Sequence, residues 1–201
     1  MNILFVCTGN TCRSPMAQYL LRHKAPDVNV KSAGIFAMDF MPANENTVKV
    51  MRENWIKMKH ATRQVKEELL EWADLVLTMT FDHKIDLFYD FPLYAEKYFT
   101  LIEYVETQGQ IELKELKEAY EAFMEKRSSL IEENEKKLSK IQLHNVLRHN
   151  LANYTEKISR IEETIPNRDI DDPFGMDIEA YRETFKQIDK YITKLVEIIH
   201  K

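Results

Sequence analysis

An α/β fold with a doubly wound parallel sheet is what this sequence predicts, and three observations carry the expectation. Short β-branched apolar runs alternate with amphipathic stretches of helical length through the first half of the chain. The polar turn after the first run opens straight into a helix-start signal, as a βα unit requires. A chain of 201 residues, 44% hydrophobic and 30% charged, is long enough to bury the two-sided core of such a sheet.

The elements follow in order. Asn2 to Val6 is a strand that stops at a polar turn, and Ser14-Pro15 caps a helix running to Lys24. Val28 to Ser32 is the second strand, Ala43 to Asn54 the second helix and Val65 to Trp72 the third. Asp74 to Met79 reads as a buried strand, Asp82 to Phe88 as a short helix, and Tyr98 to Leu101 as a fourth strand. Strands separated by helices of this length imply βαβ units with both sheet faces covered. A final amphipathic helix spans Ile178 to Ile199. Trp55, Trp72 and the methionines read as core residues.

Residues 107–169 break the rhythm. No glycine or proline falls between Gly109 and Pro166. Leu113, Leu116, Tyr120, Phe123 and Leu130 keep heptad spacing with Arg127 in the intervening slot, and a second series runs Leu147, Leu151, Tyr154, Ile158, Ile161, Ile165. The seam slips between Glu132 and Lys140, so a separable helical hairpin is expected here, with a bent helix pairing to a second copy as the alternative. His144 and His149 lack the companions of a metal site and read as solvated. The charge runs read as exposed helix faces, with contact to a protein partner or a second copy as a further role.

A formal charge of −5, from 28 basic and 33 acidic residues, excludes the basic face a nucleic-acid binder needs. No apolar run reaches the length of a membrane span, and the opening run is too short for a signal peptide, so a cytoplasmic protein without membrane contact is expected. Two cysteines, Cys7 and Cys12, form no secreted-type disulfide framework and are expected as thiols.

The chemistry concentrates in residues 7–17, CTGNTCRSPMA, at the carboxyl end of the first strand, where open α/β sheets place ligands. Cys7 and Arg13 stand six positions apart with Ser14 following. The intervening Thr8, Gly9, Asn10, Thr11 and Cys12 can curl so that successive amides face inward and the helix N-terminus adds positive charge, which suits a phosphate. Arg13 can grip two phosphate oxygens. The same dipoles and charge are expected to lower the Cys7 pKa. Gly9 and Asn10 are the residues suited to left-handed backbone. A buried cysteine at a strand end, with no chemistry, is the alternative.

The block CTGNTCRSP resembles the signature of the low-molecular-weight protein tyrosine phosphatases. Ser32-Ala33-Gly34, the strand ADLVLTMT at 73–80, and Asp172-Pro173-Phe174-Gly175 match that family's landmarks in the same order. The resemblance covers residues 1–106 and 170–201, leaving 107–169 as an insertion. It implies a phosphatase I-like, flavodoxin-like sheet of four strands, and a two-step displacement through a cysteinyl-phosphate without metal or other cofactor. Cys7 would be the nucleophile, Arg13 and the loop from Thr8 to Ser14 the phosphate cradle, and Asp172 the general acid, with Asp171 the fallback. Ser14 would bond the Cys7 sulfur, Asn10 and Ser32 would brace the loop, and Cys12 would trap oxidised Cys7 or fill space. Thr11, where tyrosine-specific members carry a larger aliphatic residue, resembles the bacterial protein arginine phosphatases and points to phosphoarginine on protein substrates. The segments ADLVLTMTFDHK and YFTLIEYV, and Phe174 after the proline, point the same way. Phosphotyrosine hydrolysis is the alternative. An arsenate reductase, which needs cysteines absent after Cys12, and a phosphate-binding interaction module stand further off.

Overall fold

A computed structural model describes residues 1–107, 114–164 and 168–201. Four parallel strands, β1 (Asn2–Cys7), β2 (Asn29–Gly34), β3 (Leu75–Thr78) and β4 (Tyr98–Thr100), form one sheet in the order β2-β1-β3-β4. This order reverses direction between β1 and β3, and the crevice at that switch point is where doubly wound sheets hold ligands. Cys7 ends β1 there.

Strand alternation sorts the helices. Ile3, Phe5, Leu75 and Leu77 face one core with α1 (Arg13–Lys24), α2 (Glu45–Glu53), α5 (Leu101–Thr107) and α8 (Ile178–Ile199). Leu4, Val6 and Val76 face the other with α3 (Glu67–Trp72), α4 (Phe81–Asp90), a 3-10 turn (Pro92–Lys97), α6 (Lys114–Asn134) and α7 (Lys140–Glu162). The predicted strands and helices appear with ends shifted by one or a few residues. Two pieces were not foreseen: the 3-10 turn, and α5, which takes over from β4 at Leu101 where a strand was expected to continue.

Several expectations are corrected. Ser14 is not the cap of α1, because the helix begins at Arg13 and the Ser14 hydroxyl is spent on other partners. Trp55 is 91% exposed, held outward by a left-handed backbone (φ 62°) just past α2. Trp72 is half-buried beneath the Lys31 ammonium, 3.9 Å from the ring centroid. Met16, Met51 and Met79 are core, but Met38, Met41 and Met176 are exposed. His149 is exposed as expected, whereas His144 is tucked in and contacts Glu67 of α3 at 3.0 Å.

α6 and α7 form the expected antiparallel hairpin, turning at residues 135–139, inside the stretch where the heptads slip. Ser139 and Gln142 close a capping box at the start of α7. Leu116, Tyr120, Phe123, Leu130, Leu147, Leu151, Ile158 and Ile161 are buried, and Tyr154 is partly so. Leu113 and Ile165 lie outside the described residues. Arg127, in its heptad slot, donates to the carbonyls of Pro92 and Leu93 and pairs with Glu96. The hairpin is not separable in its packing: its apolar face closes over Phe88, Ala95 and Tyr98 and belongs to the same core as β1 and β3. At its inner edge Lys84 of α4, 2% exposed at its side chain, is gripped by both Glu103 carboxylate oxygens at 2.9 Å and lies 4.7 Å from the Tyr120 ring centroid. Among the described hairpin residues, Ile141 is the large apolar side chain left exposed.

Phe123 is fully buried and packs against Phe88 with the rings tilted at 46° and 5.2 Å between centroids. Phe123→Ala should cost about 3–5 kcal/mol of unfolding free energy, read by urea titration of the whole chain. A cost near zero would mean that the hairpin does not contribute to the sheet's second core.

Candidate active site

The site is built at the carboxyl end of β1, where residues 8–12 loop back before α1 begins. Asn10 makes the turn. It is fully buried, its φ is 55°, and every polar atom of its side chain is engaged. Its Nδ2 donates to Ser14 Oγ and Ser32 Oγ, both at 2.9 Å, and its Oδ1 accepts from Arg63 N at 3.0 Å and from His60 Nε2 at 3.2 Å. His60 also donates to the Asn10 carbonyl at 2.9 Å, and burial holds this imidazole below its usual pKa. Gly9, expected to share the left-handed turn, does not have a positive φ, because Asn10 alone reverses the chain.

The loop's carbonyls are tied outward. Cys7 O accepts from Ile35 N, Thr8 O from Phe36 N, Thr11 O from Asn44 N and Cys12 O from Met16 N, at 2.9 to 3.1 Å. The amides of Ser14 and Asn10 bear instead on the Cys7 sulfur, as an inward-facing cradle requires. Ser14 Oγ lies 3.0 Å from Cys7 Sγ. The expectation of a lowered Cys7 pKa is corrected: burial pushes the thiol up, against the Ser14 hydroxyl, the Arg13 charge and the two amides, which all pull it down. Arg13 is turned to other partners, since Nη2 pairs with Asp172 Oδ2 at 2.6 Å and contacts Thr8 Oγ1 at 3.3 Å while Nη1 donates to the Ile170 carbonyl at 3.3 Å. Cys12 is a free, buried thiol directed at the Tyr181 hydroxyl 3.6 Å away, and Thr11 Oγ1 lies 3.5 Å from its sulfur.

The structure therefore gathers Cys7, Arg13, Ser14, Asn10, Ser32 and Asp172 in one place. Asp172 sits half-exposed and paired with Arg13, whereas the Asp171 backbone amide is bonded to Gln187. The residues that sequence reasoning missed are His60 and His83, which hold the loop from outside, and the first turn of α4. There Phe81 N donates to Asp169 Oδ1 at 2.8 Å, and Met79 O accepts from Ile170 N at 2.8 Å, fixing the segment that carries Asp172. The Thr-x-x-His spacing of Thr80 and His83 was the available signal. Among the described residues no cluster of metal-ligating side chains occurs, and no helix is long and apolar enough to cross a membrane.

β2 approaches the loop so closely that a Cβ on Gly34 would lie 2.5 Å from Thr8 O, 2.7 Å from Asn10 N and 2.9 Å from Gly9 C. Gly34→Ala should push the loop out of register and cost about 10²-fold in turnover of an aryl phosphate. An unchanged rate would show that the loop is not held by this contact.

A family model described as low molecular weight phosphotyrosine protein phosphatase matches residues 2–150. A protein-arginine-phosphatase of Bacillus subtilis is 48% identical over 109 residues, covering 52% of this chain and 73% of the relative. The low molecular weight protein-tyrosine-phosphatase PtpB of Staphylococcus aureus is 37% identical over 111 residues, covering 55% and 78%. Among solved structures, the YwlE arginine phosphatase from Geobacillus stearothermophilus superposes with a TM-score of 0.69 at 32% identity, covering 99% of this chain and 92% of that one. The sulfur in its amide cradle, the arginine six positions on and these matches agree: the chain belongs to the low molecular weight phosphotyrosine protein phosphatase family.

Proposed function

We propose that this chain hydrolyses phosphorylated protein side chains through a cysteinyl-phosphate, with phosphoarginine as the preferred substrate. The observation that carries the reading is the convergence on one loop of a buried cysteine, an inward amide pair and an Arg13–Asp172 contact of 2.6 Å. Cys7, as thiolate, attacks phosphorus in line while Arg13 and the amides of the loop from Thr8 to Ser14 hold the equatorial oxygens. The phosphorus bond to the leaving nitrogen or oxygen breaks, and Asp172 supplies the proton that the leaving group takes up. Asp172, now a carboxylate, takes a proton from the water that attacks the cysteinyl-phosphate, and phosphate leaves. Arg13 must then exchange part of its contact with Asp172 for phosphate oxygens, which frees the carboxyl to face the leaving group.

Thr11 is the specificity residue in this reading: its hydroxyl suits a polar leaving group and its short side chain leaves room for a planar guanidinium. The relatives named for arginine support this preference. Phosphotyrosine is the second reading, favoured by Phe36 and Phe174, exposed by 70% and 67%, whose backbones bond Thr8 and Asp172. The catalytic unit comprises residues 1–106 and 170–201, with 107–169 inserted, and two free thiols fit work in the cytoplasm.

If Asp172 is the acid, Asp172→Asn should slow substrates with poor leaving groups by about 10² to 10⁴ and activated aryl phosphates much less. Equal loss on both would reduce Asp172 to an anchor for Arg13. The substrate assignment is tested by kcat/KM on phosphoarginine and phosphotyrosine peptides of matched sequence. Thr11→Ile should shift the ratio toward phosphotyrosine by at least about tenfold. A wild type that prefers phosphotyrosine, with no shift on substitution, overturns the arginine reading.

A further inference from the structure

One histidine that braces the loop at Thr8, where His60 braces it at Asn10, takes no part in the chemistry assigned so far. His83 is the third residue of α4, and its ring is wedged between two hydroxyls. Nδ1 lies 2.8 Å from Oγ1 of Thr80, the residue that caps α4 by accepting from His83 N. Nε2 lies 2.8 Å from Oγ1 of Thr8, the first loop residue after Cys7. Thr8 Oγ1 in turn accepts from Arg13 Nη2. A continuous chain therefore runs from the helix cap through the imidazole and a loop hydroxyl to the guanidinium.

We propose that His83 is a positioning residue of this active site: it fixes the Thr8 hydroxyl where that hydroxyl orients the Arg13 guanidinium for the phosphoryl oxygens. The proposal rests on the phosphatase reading above. Its physical content is a division of labour at Arg13. The contact with Asp172 is made by a half-exposed carboxylate that must move during the reaction, so it cannot define the plane of the fork. The contact with Thr8 is made by a group braced from behind, and it stays in place when Asp172 turns to the leaving group. His83 suits the task because the imidazole is buried and faces the Arg13 charge, which together hold its pKa down to about 3, so the ring stays neutral and offers one donor and one acceptor. The anchor behind it is firm. The next residue on α4, Lys84, is clamped by Glu103 under the Tyr120 ring, and Phe81 N is held by Asp169.

The test exploits the two ring nitrogens. The amide of Asn reaches the position of Nδ1 and that of Gln the position of Nε2, so His83→Asn keeps the bond to Thr80 and His83→Gln keeps the bond to Thr8. In a Cys7→Ser background, which removes turnover, calorimetric titration with inorganic phosphate should show affinity about tenfold weaker in His83→Asn, while His83→Gln recovers most of the loss. Thr8→Val, which leaves the histidine in place, should weaken phosphate to the same degree, and its combination with His83→Asn should add nothing further. Where His83→Asn folds poorly, His83→Leu removes the bond to Thr8 in its place and enters the same cycle with Thr8→Val. Unchanged phosphate affinity in His83→Asn, equal losses in the Asn and Gln variants, or additive losses with Thr8→Val would each overturn the proposal. A wild type that binds phosphate but does not turn over p-nitrophenyl phosphate would instead fail the phosphatase reading alone.

Discussion

The site depends first on the buried amide of Asn10. A left-handed residue inside a strand-to-helix connection is strained for anything but glycine, and Asn is among the few side chains that tolerate it. Here the side chain also uses its whole hydrogen-bonding capacity, reaching β2 through Ser32, α1 through Ser14, and the segment before α3 through Arg63 and His60. Because those partners belong to different elements, the loop's curvature is fixed by the fold as a whole. Ser14, bound by Asn10, is then available to Cys7, and the sulfur, the amides and Arg13 acquire their mutual geometry from one turn. A buried polar network of this kind rigidifies only when it is fully satisfied, and this one is.

The electrostatics of the sulfur show two opposing effects in the same few ångströms. Burial raises the cost of a thiolate, while the cradle that surrounds it lowers that cost. In this conformation burial prevails over the Ser14 hydroxyl, the Arg13 charge and the two amides, with the guanidinium paired to Asp172 and Ile170. The proposed cycle couples two events. In it, Arg13 turns from the carboxylate toward the reacting phosphoryl group, which releases Asp172 to act as acid and brings the positive charge to bear where negative charge develops.

The sheet and the loop were legible because their signals are local. β-branched runs, the cysteine-to-arginine spacing and the heptads each lie within a short window, and β1, α8, the loop after Cys7 and the hairpin emerged from them. Strand order was not legible, since nothing local tells β3 to pair with β1 instead of β2. The net direction of the Cys7 shift was also hidden, because burial depends on Tyr181, Ile170 and β2 arriving from distant parts of the chain. His83 and His60 were invisible for the same reason: each acts on a loop more than forty positions away. Trp55 misled because hydrophobicity marks a residue as suited to the core, while a single left-handed φ decides which way it points. The hairpin was recognised but its attachment was not, since heptad spacing shows that a face is apolar and not what it covers.

The Lys84–Glu103 pair beneath the hairpin has a consequence for how such a chain can drift. Two opposite charges sealed under aromatic rings are tolerable together and costly singly, since a lone survivor is left desolvated without its counterion. Substitution at either position alone therefore faces a fitness valley, and an apolar pair of matching volume lies only on its far side. Glu103 belongs to α5 and Lys84 to α4, while the lid over them is Tyr120 of the hairpin, so three segments of the chain are bound to a shared evolutionary fate. Shortening the hairpin would reopen the pair to water and release that constraint.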